Sequence, residues 1–187
     1  DLHKIGLQGM SSCQIQRVFF PTALPFNMMA AALWNENADY DEAADAYYAA
    51  AFGEEGGLVR EYMKTLSDLM LVYHAGATGF AEGPYCKDYV AIKEAIQKFQ
   101  PIIERNAVKE GACQEDWQLL QLHSAYTSLF VQAFEMLERG EEEKKVEAAK
   151  QLIDLICRNE LAAQKVLDVN NSRRILLGRW KMTEKDL

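Results

Sequence analysis

The sequence is poor in the residues that metal chemistry needs. It holds three histidines, His3, His74 and His123, and no two of them lie four residues apart. Neither H-E-x-x-H nor E-x-x-H occurs anywhere in the chain. A zinc hydrolase needs clustered histidine and carboxylate ligands, and a di-iron bundle needs E-x-x-H pairs on facing helices. Both classes are excluded, and the sequence calls for no metal and no cofactor. The four cysteines, Cys13, Cys86, Cys113 and Cys157, are far apart and form no C-x-x-C. A structural zinc site, which pairs its ligands at short spacing, is excluded too. Two disulfides fit the count in three connectivities. Free thiols, either buried or kept reduced, are the preferred reading.

Long apolar runs are missing as well. None approaches the roughly 20 residues of a membrane span. No signal-peptide pattern opens the chain. It starts at Asp1 without an initiator methionine, as a processed protein, a trimmed one or a piece of a longer one would, so the compartment is left open. Basic charge is scarce: 20 Lys and Arg stand against 28 Asp and Glu, a net charge of −8. The basic residues concentrate only at Arg173, Arg174, Arg179 and Lys181. Such a surface repels a phosphate backbone and gains nothing from an anionic membrane, so neither nucleic acid nor membrane is an expected partner. The Gly-rich stretch HAGATGFAEGPY (74–85) lacks the G-x-x-x-x-G-K-[ST] order and follows a helical pattern, so it is no phosphate cradle. Ser11, Ser12 and Cys13 have no G-x-S-x-G around them. No catalytic residue is assigned.

What the sequence has is helical periodicity. Residues 1–21 form an extended lead-in with Gly6, Gly9 and the Val18–Phe20 run. The rest, 22–187, reads as one helical domain. The first helix starts near Pro25 with Thr22 as cap, and places Phe26, Met29, Ala30, Leu33 and Trp34 on one face, taken as buried. Asp39 with Glu42 is a capping-box-like start for the second helix, whose apolar line includes Tyr47, Tyr48 and Phe52, and Gly53 stops it. The third runs from about 57 to 73 with Leu58, Tyr62, Leu66, Leu69 and Tyr73. The fourth starts near Asp88 and keeps its period across Pro101, as a kinked helix does. The fifth starts near Gln114, carries His123 and Phe130 on its stripe, and ends at Gly140. The sixth starts in EEEKK, acids first as the helix dipole favours, and keeps an apolar line through Ile153, Ile156, Glu160 and Leu167. From Asn170 the tail reads as a last helical turn or a short strand. The fold class is all-α: about six helices in an up-down antiparallel bundle joined by short turns.

Two places invite a functional reading. His123 and Glu160 fall on the apolar stripes of the fifth and sixth helices. They are expected as a buried polar pair that fixes helix register rather than as catalytic groups. WNENADYDE (34–42) sets aromatic rings beside carboxylates, an arrangement that binds sugars by stacking and hydrogen bonding. At a helix–helix corner, however, Trp34 and Tyr40 are expected to be packing anchors.

The run from Leu24 to Leu66 carries Leu33-Trp34-Asn35, the acidic helix start at Asp39 and Asp41, Tyr47-Tyr48, Gly53, and the Arg60–Leu66 pattern. In this order it resembles the end of a bacterial family with glycoside-hydrolase-like (β/α)8 barrels, akin to the hexosaminidase and α-glucuronidase barrels. The segment QIQRVFFPTALP is similar to the exit from the last barrel strand, and residues 114–170 resemble the family's C-terminal helices more weakly. A whole barrel takes about 250 residues, so the resemblance implies that most of it, with its catalytic carboxylates, lies outside this chain. The resemblance implies a carbohydrate-processing parent in which this chain is a C-terminal helical scaffold, not catalytic by itself. Its partners are then the barrel and, through the parent, carbohydrate. If residues 5–20 follow the last strand, Gln14 and Arg17 line the edge of a substrate cleft. The alternative is a free-standing helical module that binds a protein, peptide or other ligand. The first reading calls for exposed apolar surface on the first helix, the second for a concave apolar groove.

Overall fold

The structure, a computed structural model, describes Gly6, Arg17 and residues 20–71, 84–180 and 182–186. Most of the lead-in, with Cys13 and Gln14, and most of the Gly-rich stretch with His74 lie outside the described residues. Helices account for the fold: α1 (Leu24–Trp34), α2 (Tyr40–Phe52), α3 (Gly56–Leu69), α4 (Tyr89–Ala107), α5 (Gln114–Glu138), α6 (Glu142–Arg158), the single turn α7 (Glu160–Ala163) and α8 (Val169–Arg179). Among the described residues there is no strand. The one extended pairing is an isolated antiparallel bridge of Met70 with Cys86. The chain is an all-α bundle in which each of α1 to α6 packs on the next in sequence, with α5 at the centre.

Local chemistry sets the boundaries. The Asp39 carboxylate accepts the Glu42 N–H at 2.9 Å and starts α2, and Gly53, at a φ of +68°, ends it. Such a φ suits glycine, which has no Cβ to clash. Asp88 accepts from the amides of both Val90 and Ala91 to start α4. That helix runs through Pro101 to Ala107 without a break.

Three expected boundaries move. α3 ends at Leu69 rather than Tyr73, because Met70 turns extended and the Leu71 N–H donates to the Tyr85 carbonyl at 2.8 Å. α6 stops at Arg158, where the Asn159 side-chain amide donates back to the Leu155 carbonyl, a local bond that competes with helix continuation. The tail is helix, started by an Asp168 cap on the Asn171 N–H.

The core has two centres. One gathers Tyr48 and Phe52 of α2, Tyr62 of α3, Ile92 to Ile103 of α4, and Trp117 and Leu120 of α5. There Phe52 meets Trp117 edge-on at 5.2 Å, and Tyr62 stacks flat on Phe99 at 4.3 Å. The other centre joins Phe134 of α5, Leu152 and Ile156 of α6, and Leu176 with Trp180 at the end of α8. Lys145 is buried beside it. Its ammonium donates to the Trp180 carbonyl at 2.9 Å and to Glu142 at 2.5 Å, so the buried charge is paired and the end of α8 is tied to α6.

α1 departs most from expectation. Not one of its residues is buried. Leu24, Met28 and Ala31 are half-buried, as are Phe26 and Met29 of the expected inner stripe, whereas its Ala30, Leu33 and Trp34 are exposed. Trp34 is 93% exposed, Leu33 54% and Tyr40 56%, so Trp34 and Tyr40 are not packing anchors. The helix has apolar residues on nearly every face, so periodicity alone does not tell its inner face from its outer one.

Candidate functional site

α1 is held at its start. The Tyr47 hydroxyl of α2 accepts the Ala23 N–H at 2.8 Å and the Thr22 hydroxyl at 3.0 Å, and Thr22 Oγ1 in turn accepts the Leu24 N–H. Tyr47→Phe removes both acceptor bonds and leaves α2 intact. Such partly buried bonds are worth about 1 kcal/mol each. The variant is expected to lose about 1–2 kcal/mol and to speed amide exchange in α1 with little change in α2. Uniform acceleration across all helices would refute this local role.

The far end of α1 is an ordered polar turn. Asn35 Oδ1 accepts the Asn37 N–H at 3.0 Å, and the Asn35 carbonyl accepts the Ala38 N–H at 3.0 Å. Beyond it Arg60 of α3 pairs with both Asp41 and Asp45 on α2. The outer side of α1 and this turn form one surface: apolar along the helix, acidic and amide-bearing at its end.

His123 and Glu160 are not brought together. Because α6 ends at Arg158, Glu160 opens α7 and is exposed. His123 Nε2 instead lies 3.1 Å from Thr127 Oγ1, one turn along α5. Its Nδ1 is sealed from solvent without a hydrogen-bond partner, and the ring of Phe20 meets the imidazole edge-on at 5.7 Å. Burial lowers the imidazole pKa to about 4, so the ring is neutral at pH 7. Thr127 is itself buried, so this contact is an internal one of α5. Gln14 lies outside the described residues. Arg17 is exposed, at a φ of +60°, and its carbonyl accepts the Asp168 N–H at 3.1 Å.

Two of the concavities are lined by described residues. A cleft of about 430 Å³ lies between the α2–α3 turn, the end of α4 and the start of α5. Its central side chain, the buried Asn106, donates to Glu55 and to the Ile102 carbonyl and accepts from Lys109 at 2.7 Å, while Arg105 pairs with Glu55. A second, of about 450 Å³, lies over Tyr89, Glu135, Glu138 and Arg139. There Glu135 pairs with Lys93 and Arg139, and Glu138 accepts from the Tyr89 hydroxyl at 2.6 Å and the Tyr85 N–H at 2.8 Å. In both, these polar groups are spent on one another. Neither is the apolar groove that a helix- or peptide-binding module requires.

Three described cysteines are free thiols: Cys86 buried, Cys113 half-buried and Cys157 exposed. Burial pushes the Cys86 thiol up to about 11, which keeps it protonated and unreactive. Among the described residues no three His, Cys, Asp or Glu side chains gather where a metal ion would sit, and no helix is long and apolar enough to cross a membrane. Of the basic C-terminal residues, Arg173 pairs with Glu184 and Arg174 donates to Asn171.

Compared with protein families, curated proteins and solved structures, the chain matches none.

Proposed function

We propose that this chain is a helical scaffold domain, not catalytic by itself, that seats the outer side of α1 against the remaining body of a carbohydrate-processing parent. One observation carries the docking half. α1 has no charged residue and no buried one. A helix apolar on all sides belongs in an interior, and an uncovered apolar surface marks a place for a partner. The ion-paired clefts speak against the alternative of a free-standing groove-binding module. The carbohydrate half rests on the order of features from Leu33 to Leu66.

Hydrogen exchange tests the docking. In the intact parent, amides of residues 24–34 are expected to exchange at least about tenfold more slowly than in this chain alone, which matches a local stabilisation of about 1.4 kcal/mol. Equal rates would remove α1 from any interface. Activity is tested separately with aryl glycosides, which the parent is expected to hydrolyse and this chain to leave intact. Joint substitution of Gln14 and Arg17 is expected to weaken glycan binding by the parent, and unchanged binding takes both residues out of the cleft.

A further inference from the structure

Trp34 is the one tryptophan of three that the fold leaves in water: it is 93% exposed, while Trp117 and Trp180 are buried. It closes α1, and Tyr40, also exposed, opens α2. The turn between them is fixed by its own bonds. The Asn35 N–H donates to the Ala31 carbonyl, the Asn37 N–H to Asn35 Oδ1, and the Glu42 N–H to Asp39 Oδ1. After these bonds, Asn35 Nδ2, the Asn37 side-chain amide and Asp39 Oδ2 make no hydrogen bond to another described residue, and all three residues are exposed. A ring with an open face thus stands at the edge of preset amide donors and a carboxylate acceptor.

We propose that the α1–α2 corner is a contact site for a neutral oligosaccharide, with the Trp34 indole as the stacking platform and the side chains of Asn35, Asn37 and Asp39 as hydroxyl partners. A pyranose has an apolar C–H face for the indole and a rim of hydroxyls that both donate and accept. Amides and a carboxylate meet that rim without leaving a charge unpaired in an apolar contact. A protein cover over the same turn would have to desolvate those groups. Trp34 lies one turn on from the exposed Ala30, on the same side of α1 as Leu33, so the body that covers this helix stops short of its last turn. Charge selects among sugars. Asp39, Asp41 and Glu42 crowd the turn, and Arg60 compensates only Asp41 of these three. Uronic or sulfated sugars are repelled there. The site shares its ligand class with the function proposed above and rests on that reading for the class alone.

Because Trp34 alone is exposed, tryptophan fluorescence of the wild-type chain reports on it. Cellotetraose, xylotetraose and chitotetraose are titrated while iodide quenching is followed, with tetragalacturonate as the anionic comparison. At least one neutral tetrasaccharide is expected to blue-shift the emission and protect Trp34 from iodide, and tetragalacturonate to do neither. Calorimetry on Trp34→Ala, whose helical circular dichroism should be unchanged at so exposed a position, is expected to show binding weakened about tenfold or more, the scale of one stacked ring. The proposal is overturned if no neutral tetrasaccharide protects Trp34, if tetragalacturonate protects it equally, or if Trp34→Ala binds as the wild type does. Shielding of Trp34 in the intact parent without sugar also overturns it, in favour of a protein cover. The exchange behaviour of residues 24–33 then still decides the docking of α1 independently.

Discussion

Gly56→Ala is expected to unfold this protein far more readily than its neighbour Gly57→Ala, although the two glycines are adjacent at the start of α3. A Cβ on Gly56 would stand 2.3 Å from the Tyr48 carbonyl oxygen and 2.8 Å from the Ala49 nitrogen of α2. These are backbone atoms of a packed helix and cannot rotate aside, so α2 and α3 must move apart. Their separation disturbs Tyr48 and Val59, both buried in the first core centre. Forced overpacking against backbone is expected to cost about 3 kcal/mol or more. In a chain of this size that lowers the melting temperature by about 10 °C. Gly57 has nothing within 4 Å of a Cβ and is exposed. There alanine only restricts the unfolded chain and favours helix, a gain of about 0.5–1 kcal/mol. Urea midpoints of the two variants check the contrast, and similar midpoints would show that α2 and α3 do not approach this closely.

The second large effect is a loss of stability in acid that one residue controls. A histidine has an ordinary pKa of 6.5, and burial lowers that of His123 to about 4 in the folded protein. Between these two values the unfolded chain binds a proton that the folded one refuses. The contribution is therefore whole above pH 6.5 and declines as pH falls toward 4. The difference corresponds to about 3 kcal/mol at most, because the ring as a whole is only partly buried even though Nδ1 is sealed. Asp116 acts in the opposite sense: burial raises its carboxyl pKa, so it favours the folded state on the acid side. His123→Gln removes the titrating ring. The gap in unfolding free energy between wild type and variant is expected to shift in the variant's favour from pH 7 to pH 4, by up to about 3 kcal/mol. Parallel curves across that range would mean that His123 is solvated in the folded state.

Signals carried by single residues were legible in the sequence. Asp39 with Glu42, Gly53 and Asp88 mark helix ends by chemistry that acts within a turn, and the helices begin and end there. Stripes with a polar back also read correctly: Ile92, Ile96, Phe99 and Ile103 of α4 are all buried. Patterns with two solutions did not. In α3, Leu58 and Val59 both fit the spacing to Tyr62 and Leu66, and it is Val59 that is buried while Leu58 stays half-exposed. In α1 the half-buried residues include Met28 and Ala31 as well as Phe26 and Met29 of the expected stripe, while Leu33 and Trp34 are exposed, and no charge marks the wet side. The apolar period reaches Glu160 only by running past Asn159, whose side chain ends the helix. The candidate site inherits these limits. The polar turn at 35–39 was visible, but the exposure of Trp34 depends on which way α1 lies, and that is settled by the anchor of Tyr47 on residues 22–23.

The serial packing of the helices, each on its sequence neighbour, has a kinetic consequence. Most contacts close short loops, so little chain entropy is lost before each one forms, and bundles with such local wiring fold in microseconds to milliseconds. Some ties run the other way, among them the bonds of the Phe20 N–H to the Val166 carbonyl and of the Asp168 N–H to the Arg17 carbonyl. These bonds join the two ends of the described chain across nearly its whole length. They are the last to be worth making as the molecule assembles, and the first to be given up when it comes apart.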